Sequence, residues 1–153
     1  MILRTTVVLL FLMQYCQGQD IAVLKYSGGG DWYSNPSALE NLAAFCNKEI
    51  NTSLSATPKV VTPSSIDIFE YPFLHMTGHG NVLFSEQDVD NLRAYLHSGG
   101  FLHIDDNYGM DQYVRGEISK LFPTHEFKEL APNHPHFLTP FKLPKGLPKK
   151  QDH

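Results

Sequence analysis

Apolar runs that end in glycine-rich segments alternate with segments of helical periodicity along the first 130 residues of the chain. Residues 21–26 (IAVLKY) are apolar and β-prone and lead into a triplet of glycines, which predicts a first strand. Asn35 and Pro36 then have the residue types of a helix N-cap and a first helical position. The following helix is predicted to bury one face, formed by Leu39, Leu42, Ala43, Cys46 and Ile50.

The same alternation continues through the middle of the chain. Residues 57–61 predict a weak second strand, and residues 73–77 predict a stronger third strand. Ser85, with Asp88 three residues later, forms a variant of the capping box and predicts the start of a second helix. Its apolar stripe is Val89, Leu92 and Leu96. Residues 101–104 predict a fourth strand, which we expect to be covered on both faces because its apolar residues do not alternate cleanly.

Residues 110–121 predict a third helix, with Tyr113, Val114, Ile118 and Leu121 facing inward. Residues 126–130 predict a short final strand. Strands that alternate with helices at this chain length indicate an α/β fold with a mainly parallel sheet. We therefore predict one α/β domain over residues 20–131. A tail rich in proline and lysine follows over residues 132–153, and we expect it to be extended or disordered unless something docks it.

The first nineteen residues have the organisation of a secretory signal peptide. One positive charge, at Arg4, precedes the apolar run TTVVLLFLM, and the small residue Gly18 precedes an expected cleavage site near Gln19. The apolar run is about half the ~20 residues that a membrane-spanning helix needs, so no membrane span is expected after cleavage. The alternatives are a retained anchor and a lipoprotein acylated at Cys16. The mature protein is therefore predicted to be exported, either periplasmic or secreted.

Composition limits the classes of partner. Apolar residues make up 42% of the chain and charged residues 18%, which allows a core of ordinary size. The formal charge is −4 and no basic block is present, whereas nucleic-acid binders neutralise phosphates with clustered Lys and Arg. We therefore expect no nucleic-acid partner, and the sequence requires no cofactor.

Unusual polar residues follow three of the predicted strands. In an open parallel sheet, ligands bind beyond the carboxyl ends of the strands, so these three segments are expected to converge on one edge. We expect this edge to bind a small polar ligand or a cell-envelope partner. The predicted ligand-binding residues are Gly29, Gly30, Asp31, Trp32, Gly78, His79, Gly80, Asp106, Asn107 and Tyr108.

Each motif also has a plainer interpretation. The glycine triplet before Asp31 resembles a phosphate-binding turn but lacks the spacing of a P-loop, so a tight structural turn is favoured. His79 is a candidate metal ligand, acid or base, or it only forms a hydrogen bond across its loop. Asp105 and Asp106 either bind a cation or act as an acid, or one of them caps the next helix.

A metal-assisted hydrolase is the enzymatic alternative, with His79, Asp105 and Asp106 as catalytic candidates. A metal set of His75, His79, His103 and Asp105 is conceivable, but no local metal-binding spacing supports it, and His75 and His103 are interpreted as core histidines. No serine or cysteine motif supplies a nucleophile. A protein-interaction module is the third alternative.

The chain closely resembles a bacterial family named domain of unknown function 4159 in three segments: LKYSGGGDWYSNP, FLHMTGHGNVLFSEQDVDNLRAYLHSGGFLHIDDNYGMD, and NHP before GLPK. The similarity covers residues 21–148. It implies an exported protein with a flavodoxin-like, three-layer α/β/α fold of the class I glutamine amidotransferase-like type. Asp105 and Asp106 stand where amidotransferases carry their catalytic cysteine, which implies that glutamine is not hydrolysed through a thioester.

Similar proteins usually continue beyond GLPK, whereas this sequence reads GLPKKQDH and stops. A shortened carboxyl-terminal section is expected to remove strands from the sheet and to leave apolar surface uncovered. Whether the chain is a fragment, a frameshifted product or a divergent short form stays open.

Overall fold

The structure, a computed structural model, describes residues 20–139 and 141–143. The signal peptide predicted for residues 1–19 therefore lies outside the described residues, as does most of the lysine-rich end of the chain. Among the described residues, no helix is both long and apolar enough to cross a membrane. The described residues divide into two units, with the boundary between Pro123 and Thr124.

The first unit contains a parallel sheet of four strands with helices in the connections. The strands are β1 (Ile21–Leu24), β2 (Lys59–Val61), β3 (Phe73–His79) and β4 (Phe101–Tyr108). The helices are α1 (Ala38–Glu49), α2 (Glu86–His97) and α3 (Asp111–Leu121), and a short 3-10 helix (Ile66–Glu70) precedes β3. All three strand pairings are parallel. The predicted α/β class is confirmed.

The strand order in the sheet is β2-β1-β3-β4. This is the order of the first four strands in doubly wound, flavodoxin-like sheets. The chain leaves β1 toward β2 on one side and leaves β3 toward β4 on the other, so the strand order reverses between β1 and β3. The crevice at the carboxyl ends of these two strands is therefore the expected ligand site of the fold.

Alternating side chains of the strands pack on opposite faces of the sheet. On one face, Ile21 of β1 packs with Leu39 and Ala43 of α1. On the other face, Ala22 and Leu24 join a larger core that includes residues of α2 and α3. Helices thus cover both faces, and the architecture has three layers.

Helix α1 begins later than predicted and buries less of its apolar stripe. Asn35 has a positive φ of 56° and its carbonyl oxygen accepts a hydrogen bond from the N–H of Ala38. It therefore forms a turn before the helix rather than the N-cap. Ser37 occupies the N-cap without a side-chain hydrogen bond. Of the predicted stripe, Leu39 and Ala43 are buried, whereas Leu42 and Ile50 are exposed.

The predicted capping box of α2 is confirmed. The Ser85 hydroxyl accepts from the N–H of Asp88 at 3.2 Å, and the Asp88 carboxylate accepts from the N–H of Ser85 at 2.9 Å. Val89 and Leu92 are buried as expected, and Leu96 packs against the same core. Tyr95 is buried as well, and its hydroxyl donates to the carbonyl of Tyr71 at 2.9 Å.

Strands β3 and β4 both run further than predicted. Gly78 pairs with Asp106 and His79 pairs with Tyr108, with an irregularity in the pairing between Gly78 and His79. The glycine–histidine segment and the aspartate pair were expected in loops. In the structure both strands continue through these residues because the strands pair with each other. The prediction that β4 is covered on both faces is wrong for the described residues, because Phe101, at the start of β4, is 50% exposed.

Helix α3 buries Val114 and Leu121 as predicted, whereas Tyr113 is 41% exposed and therefore does not face inward. Glu117 takes a buried place instead, because its carboxylate accepts from the N–H of Phe84 at 2.8 Å and contacts the Lys120 ammonium at 2.7 Å.

In the second unit, the strand predicted for residues 126–130 does not form. A short 3-10 helix, Pro135–Phe137, lies within the tail that was predicted to lack helices.

Candidate functional site

The segments after β1 and β3 are held together by hydrogen bonds. The Asp31 carboxylate accepts from the backbone N–H of His79, and its other oxygen lies 2.8 Å from the Nδ1 atom of the same histidine. The N–H of Gly30 donates to the Asn81 carbonyl at 3.0 Å, and the Asn81 side chain donates to the Gly28 carbonyl at 3.0 Å. These contacts fix the loop that carries Trp32.

The hydrogen bond between the Asp31 carboxylate and the His79 ring has a fixed donor and acceptor. The backbone N–H of His79, with help from its ring, holds the pKa of Asp31 below its usual value, although loss of solvent opposes this. An ionised Asp31 makes Nδ1 of His79 the hydrogen-bond donor, so Nε2 is the nitrogen that can accept a proton. The His79 side chain is about half exposed.

The end of β4 joins the same edge. The Asn107 side chain donates to the Ser34 hydroxyl at 3.0 Å, and the Asn35 side chain donates to the side-chain amide oxygen of Asn107 at 2.7 Å. The three segments that the sequence placed at the carboxyl edge thus lie together in the structure, although the contacts of Asn107 run to the loop before α1 rather than to His79.

The two aspartates of β4 have different surroundings. The two Asp106 oxygens accept from the N–H groups of Met110 and Asp111 at 2.9 and 3.1 Å, so Asp106 caps α3. This is the plainer of its two interpretations, and it occupies one of the two carboxylates that the metal-assisted alternative would use. Asp105 is exposed. Tyr108 is 81% exposed.

The four residues of the conceivable metal set do not come together as one site. His75 and His103 face each other, with their Nδ1 atoms 3.0 Å apart, whereas His79 contacts Asp31. Within residues 20–139 and 141–143, no group of three or more His, Cys, Asp or Glu side chains is arranged to hold a metal ion. His75 is buried, as expected of a core histidine, but His103 is exposed.

A cavity of about 170 Å³ lies beside the start of α1 and is lined on the sheet side by Val23 of β1, Val60 of β2 and Thr77 of β3. Its lining includes Trp32, Tyr33, Ser34, Leu39, Glu40 and Thr77. Thr77 is 2% exposed, and within the described part of the chain its hydroxyl has no hydrogen-bond partner. Because a buried hydroxyl without a partner costs free energy, rotation toward a polar group in the cavity would be favourable.

The cavity uses few of the predicted ligand-binding residues. Trp32 lines it directly, while Gly30, Asp31 and His79 support the loop that carries Trp32. Thr77 was missed, although a polar residue near the carboxyl end of an apolar strand was the available signal. Glu40 was missed because its position beside the cavity depends on where α1 begins.

The three segments at the carboxyl edge fall within the match to a known protein family. The family model described as Domain of unknown function (DUF4159) matches residues 20–153, which include every element of the sheet and all three segments at its carboxyl edge. No curated protein matches the chain significantly. The chain belongs to the DUF4159 family.

Proposed function

We propose that this protein is an exported domain that binds a small polar ligand in the cavity between the carboxyl ends of β1 and β3. The ligand is either free or displayed by a cell-envelope component. The observation that carries the proposal is the buried, unpartnered hydroxyl of Thr77 in the wall of a cavity at the point of strand reversal.

The surroundings of the cavity support binding by a prearranged site. The loop before α1 is tied to β3 through Asp31 and to β4 through Asn107, so little ordering is left for the ligand to induce. The volume of about 170 Å³ is well below the ~300–1,000 Å³ of sites for drug-sized ligands. The ligand is therefore small.

We also propose that the domain is class I glutamine amidotransferase-like in ancestry without amidotransferase activity. The strand order supports this placement, since it is that of flavodoxin-like sheets. In this placement Asp105 and Asp106 would stand at the equivalent of the nucleophile position, and the Asp106 carboxylate accepts from the N–H groups of Met110 and Asp111 at the start of α3.

The Asp31–His79 pair favours a second candidate, hydrolysis of a bound ligand by water. A carboxylate that binds Nδ1 of a histidine keeps Nε2 available as a general base. His79→Gln tests this candidate, because the variant keeps the backbone N–H that donates to Asp31 but should lose any turnover of the ligand.

Trp32 makes ligand binding directly measurable, because it is the single tryptophan of the chain and lines the cavity. We expect a panel of small amines, sugars and carboxylates to contain a compound that changes Trp32 emission saturably. Thr77→Val should lower the affinity for that compound about fivefold through loss of one hydrogen bond, and Thr77→Ser should restore the affinity. A panel without any saturable response, or a Thr77→Val variant of unchanged affinity, contradicts the proposal.

Export is tested on the protein recovered from the periplasm or medium of an expressing bacterium. We expect its first residue to be Gln19, as cleavage after Gly18 produces. An intact Met1 on the recovered protein contradicts cleavage.

A further inference from the structure

We infer that the ligand of this cavity presents an alkylammonium group to Glu40 and to the rings of Trp32 and Tyr33. The inference rests on the proposed function and names the chemical class of its ligand. Three properties of the cavity support it: the charge of its wall, the arrangement of its aromatic rings, and a cation of the protein itself that already contacts one of those rings.

The wall of the cavity carries negative charge. Glu40 is the one ionisable acidic or basic side chain among the described residues that line it. Glu40 lies in the first turn of α1, whose N-terminus carries a partial charge of roughly +0.5. A full carboxylate charge exceeds this partial charge, so Glu40 and the helix N-terminus together favour a cation.

Two aromatic rings form a corner in the lining that also contains Glu40. The rings of Trp32 and Tyr33 are nearly perpendicular, at 88°, with their centroids 5.6 Å apart. Both residues line the cavity. Ring faces combined with a carboxylate are the arrangement that binds quaternary ammonium groups, because the negative faces of the rings attract a cation that is poorly hydrated.

The indole of Trp32 already attracts a cation in this structure. The Lys25 ammonium lies 5.1 Å from the centroid of the Trp32 ring. Lys25 does not belong to the described lining of the cavity. The ring therefore acts as a cation acceptor within the fold. Repulsion from Lys25 limits affinity, so Lys25→Gln should bind the ligand more tightly.

Anionic ligands are disfavoured by the same surroundings. In the glycine-rich loop that resembles a phosphate-binding turn, the N–H of Gly30 donates to the Asn81 carbonyl and is not available to an anion. The next residue, Asp31, adds a carboxylate to this edge, and its pKa is lowered by the His79 N–H.

The test uses Trp32 emission with three probes at equal ionic strength: tetramethylammonium, glucose and acetate. We expect saturable binding of tetramethylammonium and no saturation with acetate. Glu40→Gln should lower the affinity for tetramethylammonium about tenfold through loss of the charge contact. Tyr33→Leu should lower the same affinity about threefold through loss of one ring. The matched control is Glu49→Gln, which removes the same charge from the last turn of α1, away from the cavity, and should not change the affinity.

The outcomes distinguish a failure of the ammonium inference from a failure of the proposed function. Saturable binding of glucose without binding of tetramethylammonium overturns the ammonium inference and leaves the proposed function standing. Binding of tetramethylammonium with equal loss in the Glu40 and Glu49 variants also overturns the inference, because the attraction is then a property of the overall charge. If no probe binds and the wider panel also gives no response, both fall.

Discussion

Alanine at position 78 should lower the free energy of unfolding by about 3 kcal/mol. Gly78 has a φ of 150°, which strains any L side chain. A Cβ atom there would overlap the Tyr26 hydroxyl and would lie 3.1 Å from the Asp31 carboxylate. Tyr26 is 4% exposed and its hydroxyl donates to the Thr77 carbonyl, so the ring has no room to withdraw.

The expected consequence extends to the cavity. Burial, followed by the charge of Asp31, raises the pKa of Tyr26 to about 12, so its hydroxyl remains a hydrogen-bond donor that joins the ends of β1 and β3. Displacing that hydroxyl moves Thr77 and the loop of Asp31 together. Trp32 emission of the folded variant should therefore differ from that of the natural sequence, and its affinity for the ligand should fall.

Gly80→Ala is the matched control for this experiment. Gly80 also has a positive φ, of 73°, but a Cβ atom there would meet nothing within 4 Å. Its cost should be about 1 kcal/mol, from backbone conformation alone. Urea denaturation measures both variants. Equal destabilisation of the two would contradict the role assigned to the contact between Gly78 and Tyr26.

The fold class and the convergence of the three segments could be predicted because both depend on regular features of the chain. Strands that alternate with helices form parallel sheets, and parallel strands bring their carboxyl ends to one edge. These rules predict from the sequence alone that Asp31 and His79 lie at the same edge of the sheet. They could not supply the pairing of the two side chains, which requires the conformation of the glycine-rich loop.

The ends of the elements could not be predicted, because local residue preferences compete with pairing between strands. The sequence DDNYG after Ile104 has the composition of a turn, yet its first four residues continue β4 because β3 supplies pairing partners as far as His79. For the same reason, Asp106 lies in a strand and caps α3 from outside the helix. Asn35 has the residue type of an N-cap, but its left-handed backbone places it in the preceding turn.

The cavity was missed because no local pattern encodes it. It results from the packing of the start of α1 and the preceding loop on the sheet, which brings Glu40 and Thr77 into one lining although the two residues are far apart in sequence. The contact between His75 and His103 depends similarly on the register of β3 against β4, in which these two residues are directly opposite each other. Such pairs become visible only when the register is known.

Acidification from pH 7.5 to pH 5 should lower the free energy of unfolding, and the contact between His75 and His103 should account for much of the loss. Burial, followed by the neighbouring His103, lowers the pKa of His75 below its ordinary value of 6.5, while Asp105 opposes this. The two Nδ1 atoms are 3.0 Å apart, so one must donate and the other accept. Protonation of both rings would place two donors against each other.

The sign of the effect follows from proton uptake by the two states. The unfolded chain binds a proton at His75 near pH 6.5, whereas the folded protein does so only at lower pH. As the pH falls through 6.5 the unfolded state therefore gains more protons, and stability decreases until the folded-state pKa is passed. Asp31 contributes in the same direction, but only near and below its ordinary value of 3.8, outside this window.

His75→Leu isolates this contribution. The variant removes the titrating ring but keeps an apolar side chain at a site that is 6% exposed. Its unfolding free energy should change less between pH 7.5 and pH 5 than that of the natural sequence, whatever its stability at pH 7.5. His125→Gln, which removes an exposed histidine of the second unit, should leave the slope unchanged. Urea denaturation at four pH values measures the slopes, and equal slopes for the natural sequence and His75→Leu would show that the buried pair does not govern acid stability.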